Sequence, residues 1–126
     1  MHISLESPEQ HAIQAYSEQQ IQINSVAYEQ SLIVSKQEIV SEVSIKNIDE
    51  INGDYLELLL RYKPEIIIIG HNDISKLPPI KIIADLSQQG VGVEFMSVGA
   101  ACRTYNVLLG ELREVVLGLI LNEIVE

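Results

Sequence analysis

The run Glu65-Ile66-Ile67-Ile68-Ile69-Gly70 limits what this chain can fold into more than any other stretch. Consecutive isoleucines with no polar residue between them cannot form a surface helix or a strand with one wet face, because either would leave some of them in water. Isoleucine is also stiff at χ1 and packs well on a pleated backbone. The run therefore predicts a central strand covered on both faces, the kind found in parallel sheets flanked by helices. The return path follows directly. Pro78-Pro79 opens a helix expected over about 79–89, Gly90 stops it, and Val91-Gly92-Val93-Glu94-Phe95 reads as a second strand. Residues 65–95 thus predict a strand-helix-strand unit with parallel strands.

A further helix is expected from about Ala100 to Leu109, ended by Gly110, and the valine-rich segment 114–121 reads as a final buried strand. The first half has a different grammar. Alternation in Ile21-Gln22-Ile23-Asn24 and short β-branched runs such as Leu32-Ile33-Val34 and Val43-Ser44-Ile45 predict antiparallel strands near 12–16, 19–24, 31–35 and 38–45. Between the halves, Tyr55, Leu58, Leu59 and Tyr62 recur at helical spacing before Pro64, which predicts a helix over 54–62. Leu56 and Leu60 widen its apolar arc to roughly 200°, more than a one-sided surface helix needs. Either extra β-structure or another protein is expected to cover them, which makes both candidate interface residues.

With 126 residues, 47% of them hydrophobic, the chain has enough apolar material for a core, and one domain over 1–126 is expected. Eighteen acidic residues against eight Lys and Arg give a formal charge of −10, which opposes nucleic acid and anionic membrane surfaces and favours basic protein surfaces. A single cysteine excludes an intrachain disulfide and suits a reducing compartment. The opening MHISLESPEQ shows neither a basic region nor an apolar run, so no targeting peptide is expected. The apolar stretch Val115 to Leu121 is far short of the roughly 20 residues that cross a bilayer. A cytoplasmic protein without membrane insertion is the resulting expectation. His2 and His11 lack metal-ligand spacing to anything, and no metal or cofactor is expected.

The stretch VGAACRTYN, Val98 to Asn106, holds the one cysteine beside an arginine near a helix start, a setting that can favour a thiolate. Helical stepping of about 100° per residue places Cys102 at the edge of the apolar stripe of Ala101 and Tyr105, and turns Arg103 and Asn106 to the other side. Cys102 therefore reads first as a small core hydrophobe. Gly99, between strand and helix, permits either a tight connection or close approach of a ligand to first-turn N–H groups such as that of Ala100. Gly70-His71-Asn72-Asp73 ends the neighbouring parallel strand, so Gly70, His71, Gly99, Ala100, Cys102, Arg103 and Asn106 can line one crevice at the strand ends. There His71 would be the base and Cys102 the nucleophile; a solvated turn is the plainer alternative. Arg103 in a first turn needs an offsetting partner, and an internal acid, Glu94, Glu111 or Asp73, is favoured over an external anion.

Taken together, PEIIIIG (Pro64 to Gly70), GVGVEFMSVGAACRTYNVLLGELR (Gly90 to Arg113) and INSVAYEQSLIV (Ile23 to Val34) resemble the Mth-like domain family, domain of unknown function 498, over nearly the whole chain. Its eukaryotic members include an assembly factor of mitochondrial respiratory complex I and the adipogenesis-associated Mth-like domain protein. The resemblance implies an α/β Mth-like fold: a mixed central sheet with helices on both sides, extra N-terminal antiparallel β-structure, and a final strand antiparallel to the rest. It also implies a non-enzymatic protein-interaction module, an assembly or accessory factor with a protein partner, and carries over no catalytic residue. Homo-oligomer formation stays open. Two departures stand out. Gly70-His71-Asn72 replaces the family's usual Gly-Thr-Gly, and Val43 lies where many members have a tryptophan. The alternative is an enzyme or small-ligand binder using the crevice between Gly70-His71 and Gly99 to Arg103.

Overall fold

The computed structural model describes residues 11–73 and 75–122; His2 and the opening stretch 1–10 lie outside them. Along the chain run strands β1 (Ala15–Tyr16), β2 (Ile21–Ile23), β3 (Val26–Tyr28), β4 (Leu32–Val34) and β5 (Ile39–Val40). Helix α1 (Gly53–Leu60), β6 (Ile66–Gly70), α2 (Ile80–Gln88), β7 (Gly92–Met96), α3 (Val98–Gly110) and β8 (Val115–Leu119) follow. The isoleucine run is the centre of the larger sheet, whose order is β5-β4-β8-β6-β7. Ile67 pairs with Val93 on one side and Val116 on the other, both in parallel register. Because side chains alternate across the pleat, Ile67 and Ile69 enter a core with Tyr55, Leu59 and Leu86 of α1 and α2, while Ile68 enters one with Ala101, Tyr105 and Leu109 of α3.

Chirality explains the two layers. From β6 the chain crosses through α2 to β7 on one flank, and from β7 it returns through α3 to β8 on the other. Right-handed crossovers in opposite directions must place their helices on opposite faces, which is where the two cores put α2 and α3. This corrects the expected direction of the final strand. β8 is parallel to β6 and antiparallel to β4, since a helical crossover delivers the chain to the same end of the sheet from which β6 and β7 start.

The first three strands form a separate antiparallel sheet, β1-β2-β3, while β4 and β5 join the larger sheet. β3 was not expected. Its hairpin turn uses Asn24 and Ser25, both at positive φ (52° and 66°), between the paired Ile23 and Val26, the backbone of a two-residue primed turn. Ile13, Ile21 and Ile23 bury against the α3-side core. The expected strand 38–45 is paired only through Ile39 and Val40. Glu42 then takes φ 57°, and the Val43 N–H reaches the Ser31 carbonyl at 2.8 Å, so the register slips by one residue, as in a bulge. Val43, at the tryptophan position, packs half-buried on the α1-side core. A short 3₁₀ turn at Ile48–Glu50, also unexpected, leads to α1, which Asn52 caps by accepting from the Tyr55 N–H at 2.9 Å.

Leu56 and Leu60 are half-buried on that same core, and Leu56 lies beside Ile82, Leu86 and Phe95. Part of this arc, at Leu56, is covered by α2 and β7 rather than by the N-terminal sheet. Beneath α1, the Tyr55 hydroxyl rests on Gly118 without a hydrogen-bond partner among the described residues, and its burial raises the phenol pKa far above the ordinary value. A Cβ on residue 118 would land on that hydroxyl and come within 3.1 Å of Ile69 Cδ1. Gly118→Ala is expected to lower stability by about 1–3 kcal/mol through overpacking, and Tyr55→Phe to be neutral or stabilising, because it removes an unpaired buried hydroxyl. Urea unfolding of both variants and their double mutant checks this; a double mutant no more stable than Gly118→Ala alone would contradict the contact.

Candidate functional site

The two crossovers leave the adjacent carboxyl ends of β6 and β7 for opposite faces, and such a switch point is where open sheets hold ligands. Here the position is filled from within. The space a Cβ on Gly70 would need is taken by Ala101 Cβ at 2.6 Å and Leu119 Cδ2 at 2.9 Å. His71 is buried, donates its backbone N–H to the Met96 carbonyl at 3.0 Å, and accepts at Nδ1 from the Asp73 N–H at 3.2 Å. Its ring meets Phe95 edge-on, 6.3 Å between centroids. Burial lowers the imidazole pKa; Asp73 opposes that shift and Lys76 adds to it. The neutral ring's contribution to stability is therefore complete above about 6.5 and declines as pH falls below it. The Asn72 amide donates to the Glu18 carbonyl at 2.8 Å, holding the β1–β2 turn. Asp73 accepts from the Ser75 hydroxyl at 2.7 Å, which is the chief cause of its lowered pKa.

Helix α3 starts at Val98, two residues earlier than expected, because Ser97 caps it by accepting from the Ala100 N–H at 3.3 Å. Gly99 is therefore inside the first turn and is no hinge. The point a Cβ would occupy there is 3.1 Å from the Tyr16 ring and 3.3 Å from Arg103 Nη1. Cys102 has no exposed surface, and burial pushes its thiol up to about 12, with Arg103 pulling only slightly the other way. A protonated thiol in a core is neither a nucleophile nor a metal ligand.

Arg103 corrects an expectation. Its partner is none of Glu94, Glu111 and Asp73: Nη1 donates to the Tyr16 hydroxyl at 2.7 Å, with the guanidinium carbon 5.9 Å from the ring centroid. β1 crosses the start of α3, so the nearest acceptor is a phenol on that strand. Two residues further, the Tyr105 hydroxyl donates to the His11 carbonyl at 3.2 Å. Asn106 accepts from the Ile13 N–H at 2.8 Å through Oδ1 and donates to the Ile13 carbonyl at 2.9 Å through Nδ2. Every outward polar side chain of CRTYN except Thr104 thus grips residues 11–16. Thr104 instead contacts the Met96 sulfur at 3.4 Å.

Sequence reasoning missed Ile13, Tyr16 and Tyr105 as participants. The available signal was chemical. Asn106 offers one donor and one acceptor, the pair that an extended backbone residue lacks and needs, and it shares a helix side with Arg103.

The match to the family model described as protein of unknown function (DUF498/DUF598) runs over residues 13–120, beginning at the residue that Asn106 holds. The chain belongs to the DUF498 family. A Francisella tularensis relative called a 13 kDa major membrane protein is 37% identical over 94 residues, 74% of this chain and 76% of the relative. An NMR structure from Xanthomonas campestris superposes with a TM-score of 0.81 at 27% identity, covering 100% of this chain and 96% of that one. A Bordetella pertussis protein described as a Mth938-like domain gives a TM-score of 0.66 at 24% identity over 90% and 87%. The Mth-like α/β fold that the resemblance implied is therefore the fold of this DUF498 chain. Among its described residues no helix is long and apolar enough to cross a membrane, and no group of three or more His, Cys, Asp and Glu is placed to hold a metal ion.

Two outcomes are expected. Asn106→Ala leaves both polar groups of Ile13 unpaired and should cost about 1–3 kcal/mol in urea unfolding. Arg103→Gln removes an exposed contact and should cost less than about 1 kcal/mol; a larger loss for Arg103→Gln than for Asn106→Ala would contradict the assignment. The buried thiol gives the second. Below pH 9 Cys102 is protonated whether folded or unfolded; between about 9 and 12 only the unfolded chain releases the proton, so stability falls as pH rises. Alkylation of Cys102 in native buffer should proceed only through opening of the structure, and rapid labelling with a midpoint below neutrality would overturn this placement.

Proposed function

We propose that the protein is a non-enzymatic protein-interaction module, an accessory or assembly factor that docks on a protein partner. The observation that carries this reading is the use of the crevice residues. Arg103 and Asn106 grip the N-terminal strand, Cys102 lies in the core, and His71 is packed neutral against Phe95. Those positions hold no nucleophile and base within reach of each other, which acyl or group transfer requires. The formal charge of −10 supports a protein partner over nucleic acid.

The proposed setting is the cytoplasm, with the partner supplying any attachment to a membrane. The name of the Francisella relative, a major membrane protein, and the lack of a spanning helix among the described residues support attachment of that indirect kind. Affinity capture of the full chain from its native cell, at low and moderate salt, tests the reading. A protein retained in a fixed ratio that survives moderate salt is expected. Absence of any retained protein, together with turnover of a small molecule by the purified chain, would contradict it.

A further inference from the structure

The larger sheet has an open edge at β5. Beyond Val40 the backbone reverses φ at Glu42 (57°), and among the described residues the one backbone hydrogen bond over 41–44 is the inward one from Val43 to Ser31. The outward N–H and C=O groups of such an edge are a template for another strand. Concave spaces of about 300 Å³ adjoin both sides of this segment. One lies against Ala27 to Gln30, and one against α1 at Asp54 and Leu58; a further recess continues along α1 past Glu57.

The charge lining this groove is lopsided. Glu29, Glu42, Asp54 and Glu57 are exposed, and none makes an ion pair among the described residues. The nearby cations are engaged: Arg61 pairs with Glu38, and Lys46 has its own contacts. Val43 and Leu58, half-buried, give the groove apolar footing between the carboxylates.

We propose that this edge takes up, as an added strand, an extended segment of a partner protein bearing lysine or arginine at alternate positions. Backbone pairing to the edge would supply the affinity, and alternate basic side chains would answer the carboxylates. A second copy of this chain is a poor occupant, because it would set Glu42 edges against each other. The inference rests on the interaction-module reading and names the chemistry of that partner.

The test uses the full chain and an acetylated, amidated alternating lysine-valine hexapeptide, followed by amide NMR shifts. Shifts confined to residues 27–31, 40–46 and 54–58 are expected. The peptide should bind about tenfold more weakly to Glu29→Gln/Glu42→Gln and within about twofold as well to Asp85→Asn/Glu94→Gln, an equal charge change elsewhere. Amide shifts far from the substitutions confirm that each variant is folded. No binding, shifts elsewhere, or equal weakening by both variant pairs would overturn the proposal. So would dimerisation strengthened by Glu29→Gln/Glu42→Gln, which would identify a second copy as the occupant. A native partner that binds the groove variant undiminished would sink the groove while leaving the module reading intact; turnover with no protein partner would sink the module reading instead.

Discussion

The side-chain amide of Asn106 meets both backbone groups of Ile13, and the closed state of the molecule depends on that contact. Ile13 lies outside the strands of both sheets, and a buried residue without partners would carry an unpaired N–H and C=O. Asn106 replaces the missing strand. Once Ile13 is fixed, Tyr105 and Arg103 find His11 and Tyr16 along the same segment. The small sheet is thereby laid on α3, so that Ile13, Ile21 and Ile23 complete the core around Cys102. Arg103, Asn106 and Cys102 are thus used in packing.

The contacts that fix this arrangement are mostly neutral, while the ion pairs are exposed. Lys36 with Glu114, Arg113 with Glu65 and Lys76 with Asp49 all lie at the surface, where such pairs contribute little. Stability should therefore be governed by apolar burial on two faces of β6 and by the clamp, and the acidic excess is left available for association.

What could be read from residues follows from range. The isoleucine run, Pro78-Pro79 and Gly90 act locally or through one crossover, and they led to β6, α2 and β7 with only small boundary changes. Asn24-Ser25 lacks the glycine that announces a primed turn, so β3 was missed; the φ reversal at Glu42 likewise cut short a strand whose β-branched residues looked continuous. The direction of β8 was misjudged from resemblance, although a helical crossover through α3 would have set it. The clamp was signalled only by the paired donor and acceptor of Asn106. Its contacts join residues 87 to 94 positions apart, and that signal does not say which backbone it meets. Helical stepping, by contrast, correctly separated Arg103 from Cys102, because neighbours in sequence on a helix point to different surroundings.

Native-state amide hydrogen exchange, comparing the wild type with Asn106→Ala, tests the central claim most directly. If Asn106 holds the small sheet in place, the amides of Ile13, Ile21 and Ile23 should lose protection in the variant through a partial opening, while those of β6 and β8 keep exchange set by global unfolding. Equal loss of protection across both sheets, or no change at Ile13, would contradict the account of this motif as a structural clamp.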